Sequence, residues 1–206
     1  MVKRTKAEAE KTRAAILKAA LDCFYEKGFS KTTPRSIASK IGMTRGAVYW
    51  HFRSKTDVFV EVVKATIQRN VLEVAGKFNN PKSLSELSEF FKLHAEHLEN
   101  NKKFRKFLFF IFFQLGWSDV VLKEIDPLLG EAENFYLKTV RNALLFAQKS
   151  GEIGKEQNIE DITMIIVGTW YGLRHMYITG KEGFSPSEIF IKGLETIIEG
   201  VRVKKG

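Results

Sequence analysis

Apolar residues recur at helical spacing along almost the whole chain, and the alternating pattern of strands is nearly absent. The first such segment predicts a helix from about Glu10 to Lys27, with Gly28 as its C-terminal cap. Thr33 followed by proline is typical of a helix start, so a short second helix is predicted from Pro34 to about Lys40. The chain is therefore predicted to be all-α, with about nine helices.

A glycine-centred turn, Ile41 to Met43, separates the second predicted helix from a third. Thr44 is expected to cap that helix, which runs to Phe52 and places Val48 and Phe52 inward, one turn apart. Two short helices joined by such a turn form the helix-turn-helix motif, whose second helix is presented to DNA. The sequence thus predicts a three-helix DNA-binding domain over residues 1–54.

Residues 55–206 are predicted to form a second helical domain, with Ser54 capping its first helix. A break is expected at Asp126-Pro127, because proline lacks the N–H that a helix interior uses. The predicted helices are Lys55 to Phe78, Ser85 to Asn100, Lys102 to Leu115, Ser118 to Lys149, Glu160 to Ile178 and Ser185 to Val203.

The net charge of +9 is confined to one part of the chain. Residues 1–70 contain 15 Lys and Arg against six Asp and Glu, whereas the remaining 136 residues contain 18 of each sign. A charge that served only solubility would be spread over both parts. The pattern indicates a phosphate-facing module joined to a neutral one, and so predicts double-stranded DNA as a partner.

Other classes of protein are disfavoured by what the sequence contains. Cys23 is the only cysteine, so no intrachain disulfide can form, and a buried structural thiol in a cytoplasmic protein is expected. The most apolar run, Phe107 to Trp117, has eleven residues, whereas a membrane span needs about twenty, so no membrane partner is expected.

The sequence lacks the common catalytic and metal-binding patterns. It has no glycine-rich phosphate loop, nucleophile elbow or paired metal motif, so neither an enzyme nor a cofactor is predicted. His94 and His97 lie three residues apart and could share a metal. The segment offers no cysteine and no further histidine, so no metal site is predicted.

Several residues of the helix-turn-helix have properties suited to DNA. Gly46 lets the helix approach the groove closely, Arg45 can form two hydrogen bonds to guanine, and Thr44 and Tyr49 offer hydroxyls. Lys55 lies at the N-terminus of the fourth helix, where a phosphate is favoured. Arg35, one turn into the second helix, can reach a base or the backbone. The alternatives are that Tyr49 and Trp50 are core aromatics and that His51 braces the helix end.

The segment from Thr32 to Lys55 resembles the N-terminal domain of the TetR family of bacterial repressors. It nearly repeats the Thr-Arg-Gly-Ala-Ile-Tyr-Trp-His-Phe of the AcrR-like branch, and the match covers roughly residues 10–60. Within the family, the counterparts of Arg35 and Trp50 vary in role. The resemblance implies DNA contacts by Thr33, Arg35, Thr44, Arg45, Gly46, Tyr49, Trp50, His51 and Lys55.

The neutral part of the chain is unusually aromatic. Seven Phe and Trp residues lie within the fourteen positions 104–117, so rings point all round this helix. They are either buried on every side or line a cavity for an apolar or aromatic ligand, and both interpretations stay open. The resemblance implies an inducer pocket among residues 85–178. The candidate ligand-binding residues are His94, Phe107, Phe110, Phe113, Gln114, Trp117 and Trp170.

Two segments are candidates for a dimer interface. Ile165 to Ile178 is apolar, with Gly168 and Gly172 spaced for close helix contact, and Ser185 to Val203 has an apolar stripe. Packing within one chain is the alternative. The resemblance implies a homodimer through the last two helices, and a dimer can read a palindromic operator.

Together these features predict a DNA-binding transcriptional regulator. The expectation is a dimeric repressor that a small hydrophobic or aromatic ligand releases from its operator, and the resemblance implies control of efflux. The alternative is a DNA-binding regulator or architectural protein without small-molecule control.

Overall fold

The computed structural model describes residues 5–74, 76–114, 119–180 and 183–202. Nine α-helices lie within these ranges, together with a single isolated β-bridge between Ile153 and Arg202, which confirms the all-α prediction. The helices are α1 (Lys6–Lys31), α2 (Pro34–Lys40), α3 (Arg45–His51), α4 (Lys55–Ile67), α5 (Leu84–Asn100), α6 (Lys102–Phe109), α7 (Asp119–Lys149), α8 (Ile159–Ile178) and α9 (Pro186–Val201).

The first helix is longer than its apolar pattern predicts. It begins at Lys6 because Thr5 and Glu8 form a capping box, in which each side chain accepts a hydrogen bond from the other residue's backbone N–H. Gly28 has a φ of +73°, so it kinks the chain where the C-terminal cap was predicted. Helical structure continues beyond it to Lys31.

The predicted break at Asp126-Pro127 is wrong, because α7 runs through Pro127. A proline in a helix interior costs roughly 3 kcal/mol. Val121 and Ile125 are buried one turn apart just before it, and burying one such side chain contributes about 1.5–3 kcal/mol. Lys123, whose carbonyl loses its partner, is exposed, so water can replace the missing bond.

The prediction that the fourth helix continues to Phe78 is also wrong. α4 ends at Ile67, a π-helical turn follows over Gln68–Leu72, and a short 3₁₀ turn spans Gly76–Phe78. Side chains distant in sequence bind carbonyls of the π-helical turn: His94 Nε2 lies 3.0 Å from the oxygen of Val71, and Asn79 Nδ2 donates to Leu72 at 2.8 Å.

The chain divides into two compact units. The N-terminal unit comprises Met1–Thr66 and Phe109–Leu128, and the C-terminal unit comprises Ile67–Leu108 and Leu129–Gly206. An aromatic cluster forms the core of the N-terminal unit. Phe59 is at its centre, with ring centroids 5.1 Å from Phe24, 5.1 Å from Phe29 and 6.1 Å from Phe110.

The C-terminal unit has an aromatic core of its own, built where α5 and α8 pack against α9. Phe91 lies 4.6 Å from Phe190 and 5.8 Å from Trp170, measured between ring centroids. Tyr136 of α7 lies 5.3 Å from His94 and 6.2 Å from Trp170, so it joins the two sides of the cluster. All five side chains are buried.

Across the described part of the chain, none of the helices has the length and apolar content needed to cross a bilayer.

Candidate DNA-binding surface

Local hydrogen bonds determine where α2 and α3 begin and end. Thr33 accepts from the backbone N–H of Ser36 at 3.1 Å, and its own N–H donates to the Ser36 hydroxyl at 3.0 Å. Gly42, with a φ of +66°, makes the turn between the helices, and the N–H of Met43 closes it by donating to Ala38 at 2.9 Å. The predicted bounds of α2 and the predicted turn are both confirmed.

The buried face of α3 is the one that the sequence predicts. Val48 and Phe52 are buried, and so are Ile37 and Ala38 of α2. Arg13 of α1 supports this base: its guanidinium lies 5.3 Å from the ring centroid of Phe52 and pairs with the Glu61 carboxylate of α4. No local spacing in the sequence signals this role of Arg13.

The opposite side of α3 is open to solvent. Tyr49 is 42% exposed and Trp50 is 66% exposed, so neither is a core aromatic, and that alternative is wrong. Arg35, Thr44, Arg45 and Gly46 are exposed too, as is Thr33 at the start of α2. Thr44 occupies the N-cap position of α3, but its side chain makes no capping hydrogen bond.

Arg45 and Tyr49 lie one turn apart on α3 and contact each other. The Arg45 guanidinium donates to the Tyr49 hydroxyl at 3.3 Å, and its central carbon lies 5.0 Å from the ring centroid. The pair holds the guanidinium on the exposed face, where an acceptor on a base edge can engage it.

Gly46 has no structural need to be glycine. A Cβ added there would meet only the Thr44 hydroxyl, at 3.7 Å, which is ordinary van der Waals contact. Gly46 lies in the first turn of α3, where glycine costs at most the roughly 1 kcal/mol relative to alanine of a helix interior. The space around the missing Cβ would hold an alanine side chain, so the fold does not account for this glycine.

Lys55, expected to bind phosphate, already makes hydrogen bonds within the protein. Its ammonium donates to the carbonyls of Phe29 at 2.9 Å and Ser30 at 3.2 Å, and it lies 4.4 Å from the Phe29 ring centroid. Burial lowers the pKa of this lysine. An ammonium has three N–H donors, so one remains for a phosphate beside the start of α4.

His51 packs against its neighbours at the C-terminal end of α3. Its ring lies 4.5 Å from Trp50 in an edge-on arrangement and 6.2 Å from Phe52. The ring is partly buried, which favours the bracing role over direct contact with a base.

The surface of α2 and α3 carries uncompensated positive charge. Four of the six acidic side chains of residues 1–70 are engaged in local contacts: Glu8, Glu26, Asp57 and Glu61. Within the described part of this segment, the ion pairs involve Arg13 and Lys40. Arg35 and Arg45 therefore have no acidic partner among the described residues.

Sequence comparison relates this chain to known DNA-binding regulators. The family described as "Bacterial regulatory proteins, tetR family" matches residues 16–62. HTH-type transcriptional repressor BepR of Brucella suis biovar 1 (strain 1330) is 29% identical over 206 residues, covering 98% of this chain and 97% of BepR. HTH-type transcriptional regulator AcrR of Shigella flexneri is 43% identical over 81 residues, 38% of each chain. These matches support the TetR family for this chain.

A solved structure shows that the likeness in fold extends beyond the matched domain. NalD, the secondary repressor of the MexAB-OprM multidrug efflux pump in Pseudomonas aeruginosa, superposes with a TM-score of 0.76 at 23% identity. The superposition covers 95% of this chain and 99% of NalD.

With AcrR among the relatives, the predicted AcrR-like branch is confirmed. The chain is a DNA-binding transcriptional regulator and not an enzyme.

The described residues among the seven predicted to bind a ligand are divided between the two units. Phe110 is buried in the N-terminal core, and Phe113, also of that unit, is 43% exposed. His94, Phe107 and Trp170 are buried in the C-terminal unit. Gln114 lies in a π-helical turn, but its side chain is outside the described residues, as is the whole of Trp117.

His94 and Trp170 are the two candidates that the structure brings together, since both rings lie within about 6 Å of Tyr136. His94 also bonds within its surroundings: Nδ1 lies 2.8 Å from the Phe90 carbonyl oxygen, and Nε2 lies 3.0 Å from that of Val71. Burial lowers the pKa of His94 even though the carbonyls act in the opposite direction. Phe107 stacks on Phe104 instead, with ring centroids 6.4 Å apart.

His97 lies in a polar cluster that sequence reasoning missed. Its Nε2 lies 2.9 Å from the Asn70 side-chain oxygen, which also accepts from Asn101 at 3.0 Å. Asn70 and His97 are 27 positions apart in sequence, so no local spacing reveals the pair.

Proposed function

We propose that this protein is a dimeric repressor that binds a palindromic operator and is released from it by a small hydrophobic or aromatic ligand. The observation that carries the proposal is the exposed face of α3, where Arg45 and Tyr49 contact each other beside Gly46. This face lies in the segment that holds the whole net charge.

Each exposed group has a role on DNA that follows from its chemistry. Arg45 forms two hydrogen bonds to a guanine in the major groove, and Gly46 lets the helix axis come close to the groove floor. Lys55, at the N-terminus of α4, uses its remaining N–H for a backbone phosphate, aided by the helix dipole. Thr33, Thr44 and Arg35 contribute further backbone contacts, which set register without reading sequence.

Exposed stripes on the last two helices support the homodimer. On α8, Met164 is 63% exposed and Ile165 is 54% exposed, and Gly168 and Gly172 follow on the same side with open space around them. On α9, Ile189 is exposed, and a Cβ added at Gly193 would meet nothing. Such apolar surface favours burial, and the glycines allow a second pair of helices to approach closely.

The aromatic core of the C-terminal unit supports an apolar ligand. Trp170, Tyr136 and His94 place polar side-chain groups within a cluster of aromatic rings, the composition typical of small-molecule sites. The ligand binds more tightly to the dimer conformation in which the distance between the two α3 helices does not match the operator. Its binding shifts α4, which changes that distance. Only this difference in affinity can shift the equilibrium. The proposal that the protein controls efflux rests on the resemblance to AcrR-like regulators.

The DNA assignment is tested by Arg45→Ala and Tyr49→Ala. Both variants are expected to lose operator binding in gel-shift assays with a site selected from random DNA, while remaining dimeric in light scattering. Unchanged affinity would exclude α3 as the reading helix. Selection that yields no preferred sequence would favour the architectural alternative.

Release by ligand is tested with a panel of hydrophobic drugs and dyes. Compounds that bind the C-terminal core are expected to quench tryptophan fluorescence and to weaken operator binding at the same concentrations. Trp170→Phe should reduce the quenching, whereas Trp50→Phe should preserve the part that comes from the core. A broad panel that causes neither effect would exclude ligand control.

A further inference from the structure

A surface groove in the C-terminal unit lies apart from the residues discussed above. It is bounded by the solvent-facing side of α7 and by the loop at residues 80–82, and its volume is about 310 Å³. Pockets for small molecules begin at about 300 Å³. The groove therefore suits a compact molecule of one or two rings.

Two large apolar side chains lie open in this groove. Leu145 and Phe146 are adjacent on α7 and are 43% and 48% exposed, although their exposed neighbours on the helix are polar. Pro81 lines the groove as a buried residue of the facing loop. Unlike most phenylalanines of the described chain, Phe146 contacts no other described aromatic ring. The exposed part of its ring is available to contact a ligand.

Four polar side chains surround the apolar part: Asn80, Lys82, Asn142 and Lys149. Among the described residues, none of these four side chains has a hydrogen-bond or ion-pair partner. The acid nearest in sequence to the loop, Glu86, is engaged, because its carboxylate accepts from the backbone N–H of Lys82 at 2.8 Å. The groove thus presents two unpaired ammonium groups and two unpaired amides.

We propose that this groove binds a small aromatic carboxylate. The ring of the ligand stacks on Phe146 and contacts Leu145, and its carboxylate lies between the ammonium groups of Lys82 and Lys149. The amide N–H groups of Asn80 and Asn142 donate to the remaining oxygen lone pairs. A neutral aromatic molecule would contact only the apolar side chains of the groove. Inorganic phosphate would pair only with its two ammonium groups.

The test is a nuclear magnetic resonance titration of the full-length protein with 1-naphthoate, and with 1-naphthalenemethanol as the neutral match. We expect saturable shifts of amide signals at residues 80–82 and 142–149 with naphthoate, and affinity about tenfold lower for the alcohol. Exposed ion pairs contribute about 0.2–1 kcal/mol each, so two of them give a factor of this order.

Surface variants locate the site. Lys82→Gln with Lys149→Gln should weaken naphthoate about tenfold and leave the alcohol unchanged, whereas Phe146→Ser should weaken both. Lys138→Gln, an exposed lysine of α7 outside the groove, is the matched control and should change neither. Equal affinity for naphthoate and the alcohol, shifts that map elsewhere, or binding that survives these groove variants would each overturn the proposal.

Discussion

At Gly46, the requirements of folding can be separated from those of the proposed DNA contact. Because the fold leaves ordinary space for a Cβ, Gly46→Ala is expected to keep the free energy of unfolding or raise it by up to about 1 kcal/mol. On DNA, the added methyl group should lower operator affinity about tenfold or more, equal to about 1.4 kcal/mol. Urea denaturation and fluorescence anisotropy measure the two effects.

Gly130→Ala is the matched control for that substitution. Gly130 lies in α7 and also has open space around its missing Cβ. Its replacement should stabilise the protein similarly and leave operator affinity unchanged. If Gly46→Ala binds the operator as tightly as the wild type does, α3 does not approach DNA at this residue.

His94 makes stability depend on pH. Burial lowers the pKa of His94 and of His97, so the folded protein favours their neutral forms. A histidine in the unfolded chain has a pKa near 6.5. The contribution of these neutral side chains to the free energy of unfolding is therefore fully present above that pH and is lost as the pH falls below it. The loss is at most about 1.4 kcal/mol per pH unit for each histidine.

The measurement is urea denaturation at pH 7.5, 6.5 and 5.5. His94→Gln is expected to flatten the loss of stability at acidic pH, whatever its effect at pH 7.5. His175→Gln, at an exposed histidine of α8, should keep the wild-type slope. A slope that is the same in all three proteins would contradict the role given to His94.

At the scale of elements, the start of α9 is anchored to the end of α5. The Glu99 carboxylate accepts from the backbone N–H of Ser187 at 2.9 Å and from the hydroxyls of Ser185 at 2.6 Å and Ser187 at 3.0 Å. A negative charge at a helix N-terminus is stabilising, and hydrogen bonds to a charged group are the stronger kind.

Glu99→Gln is therefore expected to lower the free energy of unfolding by about 1–2 kcal/mol, because it removes the charge and one acceptor. Urea denaturation of this variant is compared with that of Glu96→Gln, a substitution one turn earlier on α5. The control should stay within about 0.5 kcal/mol of the wild type. Equal stabilities of the two variants would show that Glu99 does not anchor α9.

Local signals predicted the elements of the DNA-binding surface well. Thr33, Pro34 and the glycine at position 42 act within one turn of their own positions, so the bounds of α2 and the turn before α3 followed from the sequence. The inward positions Val48 and Phe52 followed from helical spacing alone. Each of these depends on neighbours that the sequence places side by side.

Features that depend on distant residues were missed or misjudged. The π-helical turn that follows α4 is contacted by His94, whose ring reaches the Val71 carbonyl from 23 positions away. The aromatic run at 104–117 left core packing and a ligand cavity both open, and the structure places Phe107 and Phe110 in the cores of different units. Helical periodicity shows that a ring is buried, but not which element buries it.

At the scale of the whole molecule, charge and apolar surface are divided between the two parts of the chain. The net charge of +9 lies within residues 1–70, and the exposed apolar stripes lie on α8 and α9. One α3 gives a modest half-site affinity. In the proposed dimer, joining two copies would make the second contact intramolecular, so dimerisation through the neutral part would multiply the affinity of the charged part.

Ile165→Glu tests this division, because it places a charge in the centre of the α8 stripe. We expect a monomer in size-exclusion chromatography with light scattering, and operator affinity lowered about 100-fold, since each half-site then binds alone. Leu145→Glu is the matched control: an apolar residue of similar exposure on α7, outside the stripe, which should leave the dimer and operator binding intact. A dimer that persists in Ile165→Glu, or a monomer produced equally by Leu145→Glu, would show that another surface joins the two copies.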